Sequence, residues 1–478
     1  MEQNKPHKVL KDRYLSLIII GGAVSTGLLV GSIIGIVAFM VLSALGEMSS
    51  FAPMPCGLGG YASRFVDPAL GFATGYCYAL RYMLSTPNNL VAASLLMTFW
   101  VRNNVDPSVF ITVALLVVLF INLISVKGFV LGGGPKYWKS PGAFAESPIE
   151  GAGGAFARAW TTMVHAIYAY GGTELVRAPL AESKNPRTAM AGSLRFTFFR
   201  IFSIYILSIF FLGLVVPYNS PKLAFSSDSK TSAAASPFVA AMKLAKIGGL
   251  AHVINACMLI FVVATATTDF YLATRTIYGI AVDGKAPAFL ARTNKRGTPI
   301  LAAVAPFLFC MLAYISIRTG SMPVFKYLTQ VVVGFNVLSW ISILTTHIAF
   351  CRAVKSQNIP SDRFPCRAAF RVWGSIAALV FLCIFILIKG AEVFIQDFDY
   401  GVLVVLYIDI PVYLVFIFGY KICYKTHRVR PTEADLTTGV SPVPFEEERA
   451  QKEAEDKVKI ANAVGIKRVY RRFLALFY

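Results

Sequence analysis

The chain has 478 residues, 56% of them hydrophobic and only 15% charged, whereas a soluble globular protein carries about a quarter charged residues. The apolar residues run in long uncharged blocks, which excludes an ordinary soluble domain. A formal charge of +20 would suit a nucleic-acid binder, but the basic residues sit in short segments between apolar blocks, which excludes that class as well.

Taken in chain order, a basic tail comes first, residues 1–13, with Lys5, Lys8, Lys11 and Arg13. The apolar block after it, about 14–45, is too long for the core of a cleaved leader. One span of the hydrocarbon core takes roughly 20 residues, so the block is also overlong for one span and too short for two. Blocks of spanning length follow at about 70–100, 107–126, 155–181, 197–217, 248–274, 299–317, 327–351, 372–390 and 401–423. About ten spans are therefore present, and the predicted fold is an all-α polytopic membrane protein.

Lys184 to Arg200, Arg275 to Arg296 and Arg352 to Arg371 form basic loops that the positive-inside rule places in the cytoplasm. The segment KGAEVFIQDFDYG, with Glu392, Asp397 and Asp399, reads as an outer loop. One membrane domain, 14–424, thus stands between cytoplasmic tails, 1–13 and 425–478. The second tail turns from acidic residues, Glu446 to Asp456, to the basic and apolar stretch Lys457–Tyr478. That stretch has the pattern of an amphipathic helix on the inner leaflet; a solvated tail with regulatory lysines fits the same residues. Eight cysteines lack metal spacing, and no HExxH, CxxC or nucleophile-elbow pattern occurs. Gly132 to Gly134 lacks the Lys-Ser/Thr of a phosphate loop, so the sequence predicts no enzyme, no cofactor and no metal.

Two apolar segments are interrupted. In GGAVSTGLLVGS, Gly21, Gly22, Gly27 and Gly31 stand in a stretch otherwise suited to helix; in YAYGGTELVRAPLAES, Gly171, Gly172 and Pro179 do, with Glu174 and Arg177 close by. Breaks at membrane depth persist only where the freed backbone is buried or lines a cavity. In transporters, broken helices aim amide groups at anionic substrate groups and carbonyls at cations. Close packing of helices uses glycine equally, but an acid inside the membrane is expensive and marks function.

These segments resemble the fungal amino-acid permeases of the amino acid–polyamine–organocation superfamily. The resemblance extends to ALGEMSSFAPMP, GGYASRFVDPALGFATGY, LRYMLSTPNNLVAA, YWKSPGAFAE, YGGTELVRAPLAESKNPR, FFLGLVVPYNSPKL, the run from TTDFYLATRTIYG to NKRGTP, and LTTG in the tail, so that it covers about Lys11 to the C-terminus. It implies a leucine-transporter-type fold of twelve spans, two inverted five-helix repeats plus two helices. It also implies import of L-amino acids with protons across the plasma membrane, both tails cytoplasmic, and ubiquitin-ligase adaptors as partners of those tails. By that resemblance the amides of Ser25, Thr26 and Gly27 hold the substrate carboxylate. Carbonyls near Gly21, Gly22 and Tyr170 to Gly172, with Thr173, hold the ammonium group, and Glu174 is the proton-linked acid. Desolvation favours a protonated Glu174; a purely structural Glu174 is the other reading. Thr267 and Thr268, beside Asp269, stand where relatives have Asn-Ser and are candidate pocket residues.

The sequence also departs from the family pattern. After Ser32 it runs straight into IIGIVAFMVLSALGEM, which resembles the middle of the second helix, and Lys127 runs into GFVLGGGPKYWKSPG, the end of the fifth. About ten spans of twelve are then present, and two internal segments are missing. The region 46–127 is expected to be inverted, with GGYASRFVDPALG outside, and transport is expected to be impaired. A non-transporting receptor or an inactive product are the alternatives. Asp409 in the last span is expected to seek a buried partner; His165, His252 and His347 give no signal beyond helix packing.

Overall fold

The computed structural model describes residues 11–97, 152–174, 202–209 and 248–440, short gaps aside, and among these residues there is no strand. The helices are α1 (Lys11–Phe51), α2 (Gly57–Phe65), α3 (Pro68–Met97), α4 (Ala152–Tyr170) and α5 (Gly248–Val282). They continue with α6 (Ile300–Cys310), α7 (Ser321–Ser356), α8 (Arg371–Ile388), α9 (Tyr400–Tyr407) and α10 (Asp409–Tyr424). Among the described residues five helical stretches are long and apolar enough to cross a membrane, and α9 with α10, bent by 46°, makes a sixth. The expected span 107–126 lies outside the described residues, as does most of 197–217.

α1 is one continuous helix of 41 residues. At 1.5 Å per residue it is about 60 Å long, twice the hydrocarbon thickness. Nothing in Gly21, Gly22, Gly27 or Gly31 interrupts it, because glycine weakens a helix without breaking its hydrogen bonds. Gly31 and Gly35, four residues apart, instead accept the rings of Tyr205 and Phe202, which sit where a Cβ would stand. This is the small-residue packing of membrane helices.

α3 is the central post, packing against α2, α5, α6, α7 and α10. Its start follows from the sequence VDPALG: Asp67 Oδ1 accepts the Ala69 amide at 2.8 Å, and Pro68 fills the first helical position, where no amide is needed. Its middle is polar yet buried, with Arg81, Ser85, Thr86, Asn88, Asn89 and Ser94 all enclosed. Residues on the outer helices face the other way: Leu308, Leu387 and Ile422 are 61%, 67% and 74% exposed, as suits side chains solvated by lipid rather than water.

The loops that share a face correct one expectation. The Val429 amide donates to Val66 O at 2.8 Å, and Arg64 donates to carbonyls of Asp435 and Thr438. Gln357, just past α7, reaches Ala434 O at 2.7 Å, and Tyr76 OH reaches Lys285 O at 3.1 Å. The segment GGYASRFVDPALG therefore lies on the same side as residues 425–440 and is not inverted relative to them. What differs is the first end of α1, which runs from Phe51 back to Lys11 as one helix without a return.

Candidate functional site

α4 stops at Tyr170, where Gly171 and Gly172 make a turn and Gly172 takes a φ of 94°, a backbone conformation that L side chains rarely adopt. Beyond the turn, Glu174 is 2% exposed. Its carboxylate accepts a hydrogen bond and ion pair from Arg81 of α3 and faces Trp340 Nε1 of α7 at 3.4 Å. Arg81 also lies over the Tyr82 ring, 4.8 Å from its centroid, a cation–π contact. The charge that the sequence flagged in the membrane thus has a counter-charge on another helix, as a buried ion must.

A cavity of about 550 Å³ opens beside this pair, lined by residues of α3, α5, α7 and the α4 turn, a volume typical of small-molecule sites. Three polar features face it. Arg81 supplies a cation. Asp269 of α5 supplies an anion whose Oδ2 accepts both Ser85 Oγ, at 2.6 Å, and Asn89 Nδ2, at 2.9 Å. Asn336 of α7 supplies an amide. Gly171 permits the convergence: a Cβ there would stand 2.8 Å from Arg81 Nη2 and 3.2 Å from Asn336 Nδ2. A cation, an anion and an amide around one apolar-walled space complement a zwitterion, which presents a carboxylate and an ammonium group together.

Of the residues singled out from sequence, Gly171, Gly172 and Thr268 line this cavity. Thr268 Oγ1 bonds to Ala264 O at 2.9 Å and Thr267 Oγ1 to Val263 O at 2.9 Å, so both hydroxyls are engaged by their own helix; Thr267 does not line the space. Tyr170 turns toward α1, its ring 5.0 Å from that of Tyr205. Glu174 sits behind Arg81 rather than in the wall. Gly21, Gly22, Ser25, Thr26 and Gly27 belong to the unbroken α1, whose amides are satisfied by carbonyls four residues earlier and are not offered to a ligand. Thr173 and Arg177 lie outside the described residues.

The sequence reading passed over Arg81, Ser85, Asn89 and Asn336. Arg81 carried a signal, as a charge inside the apolar block 70–100; the uncharged Asn336 carried none. Two further buried pairs lie away from the cavity. Asp409, expected to seek a partner, accepts Lys389 Nζ at 2.8 and 3.0 Å. His347 lies between Glu47 Oε2, at 3.0 Å, and Ser375 Oγ, at 2.8 Å, which ties α1, α7 and α8 together.

Comparison with known proteins agrees on the kind of molecule. The family pattern described as Amino acid permease matches residues 14–131 and 129–431. The dicarboxylic amino acid permease of Saccharomyces cerevisiae is 36% identical over 99% of this chain and 87% of its own. An uncharacterized amino-acid permease of Schizosaccharomyces pombe is 35% identical over 89% and 91%, and the proline-specific permease of S. cerevisiae is 30% identical over 91% and 79%.

Proposed function

The chain belongs to the amino acid permease family, and from that premise we propose that it is built to import acidic L-amino acids with protons across the plasma membrane. The observation that carries the substrate class is Arg81, a buried guanidinium in the cavity wall held by an acid of the same protein. One relative is named for dicarboxylic amino acids, the substrates such a cation would favour. The ammonium group goes to Asp269, whose two hydrogen bonds both fall on one oxygen. Glu174, ion-paired with Arg81 behind the cavity wall, is the acid through which the proton is linked to substrate binding. With the missing segment after Ser32 restored so that both tails face the cytoplasm, their lysines are the ones offered to ubiquitin-ligase adaptors.

In its present form the chain transports poorly. The resemblance would put the substrate carboxylate on amides at the first glycine-rich break, and in this chain those residues belong to the unbroken 41-residue α1, whose amides bond within the helix. Two observations support missing segments. The alignment with the dicarboxylic permease extends over 529 positions, more than the 478 residues of this chain, and the family match restarts at residue 129, next to Lys127.

Radiolabelled aspartate uptake decides the matter, in cells lacking their own acidic amino-acid uptake. The cells express either this chain or the chain with family-length segments restored after Ser32 and Lys127. Proton-dependent aspartate uptake is expected from the restored chain and little from the present one. Uptake of neutral amino acids alone would overturn the substrate class, and full uptake by the present chain would overturn the impairment. Sequencing the transcript across both junctions then tells a cellular variant from a misread gene.

A further inference from the structure

Asn336 is 2% exposed, and among the described residues neither Oδ1 nor Nδ2 has a hydrogen-bond partner. A side-chain amide brings two donors and an acceptor, and a buried polar group left unmatched is destabilising, so native structures rarely keep one without a role. It lines the cavity, with Nδ2 close to the gap over Gly171 into which Arg81 Nη2 also reaches. We infer that Asn336 is a specificity residue that donates, beside Arg81, to the side-chain carboxylate of an acidic amino acid.

The setting of α7 holds it there. Val332 and Val333 lie one turn earlier on the same face and line the same cavity, and Trp340, one turn later, meets Glu174. Two residues before Asn336, on the far side of the helix, Gly334 lies against the buried Lys389–Asp409 pair, where a Cβ would overlap the Asp409 carboxylate. Rotating α7 to turn Asn336 away would drive a side chain into that pair. The amide therefore points into the cavity because the helix is fixed on its other face. An oxygen of a carboxylate accepts from Nδ2 with the full charge that makes such a bond strong; the neutral carbonyl of an asparagine ligand accepts more weakly, and the methyl of alanine does not accept at all.

The assignment rests on the acidic-substrate reading, and the experiment separates the two. Thermal unfolding of the purified full chain is followed with rising aspartate and, in parallel, asparagine, its neutral isostere; a ligand that binds the folded state raises the midpoint. The wild type is expected to be stabilised by aspartate at lower concentration than by asparagine. Asn336→Leu, similar in volume, is expected to unfold at the same or higher temperature without ligand, and its half-maximal aspartate concentration rises at least about tenfold, with a distinctly smaller rise for asparagine. Asn336→Asp, should the leucine variant not fold, is expected to lose aspartate binding further, because an anion then faces the ligand. An unchanged preference for aspartate in either variant, or an equal loss for both ligands, overturns the role of Asn336. Stabilisation of the wild type by asparagine but not aspartate overturns the substrate reading and this assignment with it.

Discussion

Arg81 and Glu174 show how a single pair of side chains sets the character of the site. Both are enclosed, and neither is stable without the other, because an isolated charge in a low-dielectric interior finds no compensating field. Arg81→Met alone is expected to lower stability by about 3–5 kcal/mol, while Arg81→Met with Glu174→Leu restores most of the loss; thermal unfolding of the detergent-solubilised chain measures both. Asp67 makes a milder case. Burial pushes its carboxyl up, but the Lys421 ammonium, the Ala69 amide and the Thr426 hydroxyl together hold it below the ordinary carboxylate value. Since its folded pKa is the lower one, its contribution is complete at neutral pH and is lost only as pH falls through that depressed value. Asp67→Ala is expected to remove the helix cap, at about 1 kcal/mol, and to make the segment 425–440 a faster target for protease at neutral pH than in the wild type.

At the scale of helices, close approach is arranged by the smallest residues. Gly334 lets α7 meet the Lys389–Asp409 pair, which sits where α9 bends into α10. Gly334→Ala is expected to destabilise by about 1–3 kcal/mol, as overpacking does, and to weaken aspartate binding as well, because the same helix carries Val332, Val333 and Asn336; unfolding with and without ligand reports both effects. The turn at Gly171–Gly172 was legible from sequence, since two glycines within an apolar run can only weaken a helix there. The fate of Gly21 and Gly22 was not: glycine permits a break without requiring one, and the joined apolar run carries the helix on.

Across the whole molecule, sidedness is decided by how many times the chain crosses. Phe51 at the end of α1 stacks on Phe364 at 4.8 Å, and Glu47 accepts the Ala368 amide at 2.8 Å, which anchors this end of α1 to the face bearing residues 425–440. A single crossing by α1 would put its basic start on the opposite face, against the positive-inside rule. A cysteine placed at Lys11 is expected to react with a membrane-impermeant reagent from the side opposite to one placed at Thr438. Restoring a family-length segment after Ser32 is expected to bring both to the same side, and same-side labelling of the present chain would show that α1 does not cross as one helix.

The sequence by itself determined that this is a helical membrane protein of the permease family, where its apolar blocks lie, and that its chain is interrupted beside Glu174. Those properties are local: hydropathy adds up along a window, and a glycine pair acts on its own turn. Only the tertiary structure decided that Glu174 meets an arginine 93 residues away, that His347 meets Glu47 from 300 residues away, and that Asn336 faces the cavity while Gly334 faces an ion pair. Which groups meet depends on how each helix is turned about its axis, and that is set by packing against neighbours that no window of sequence contains.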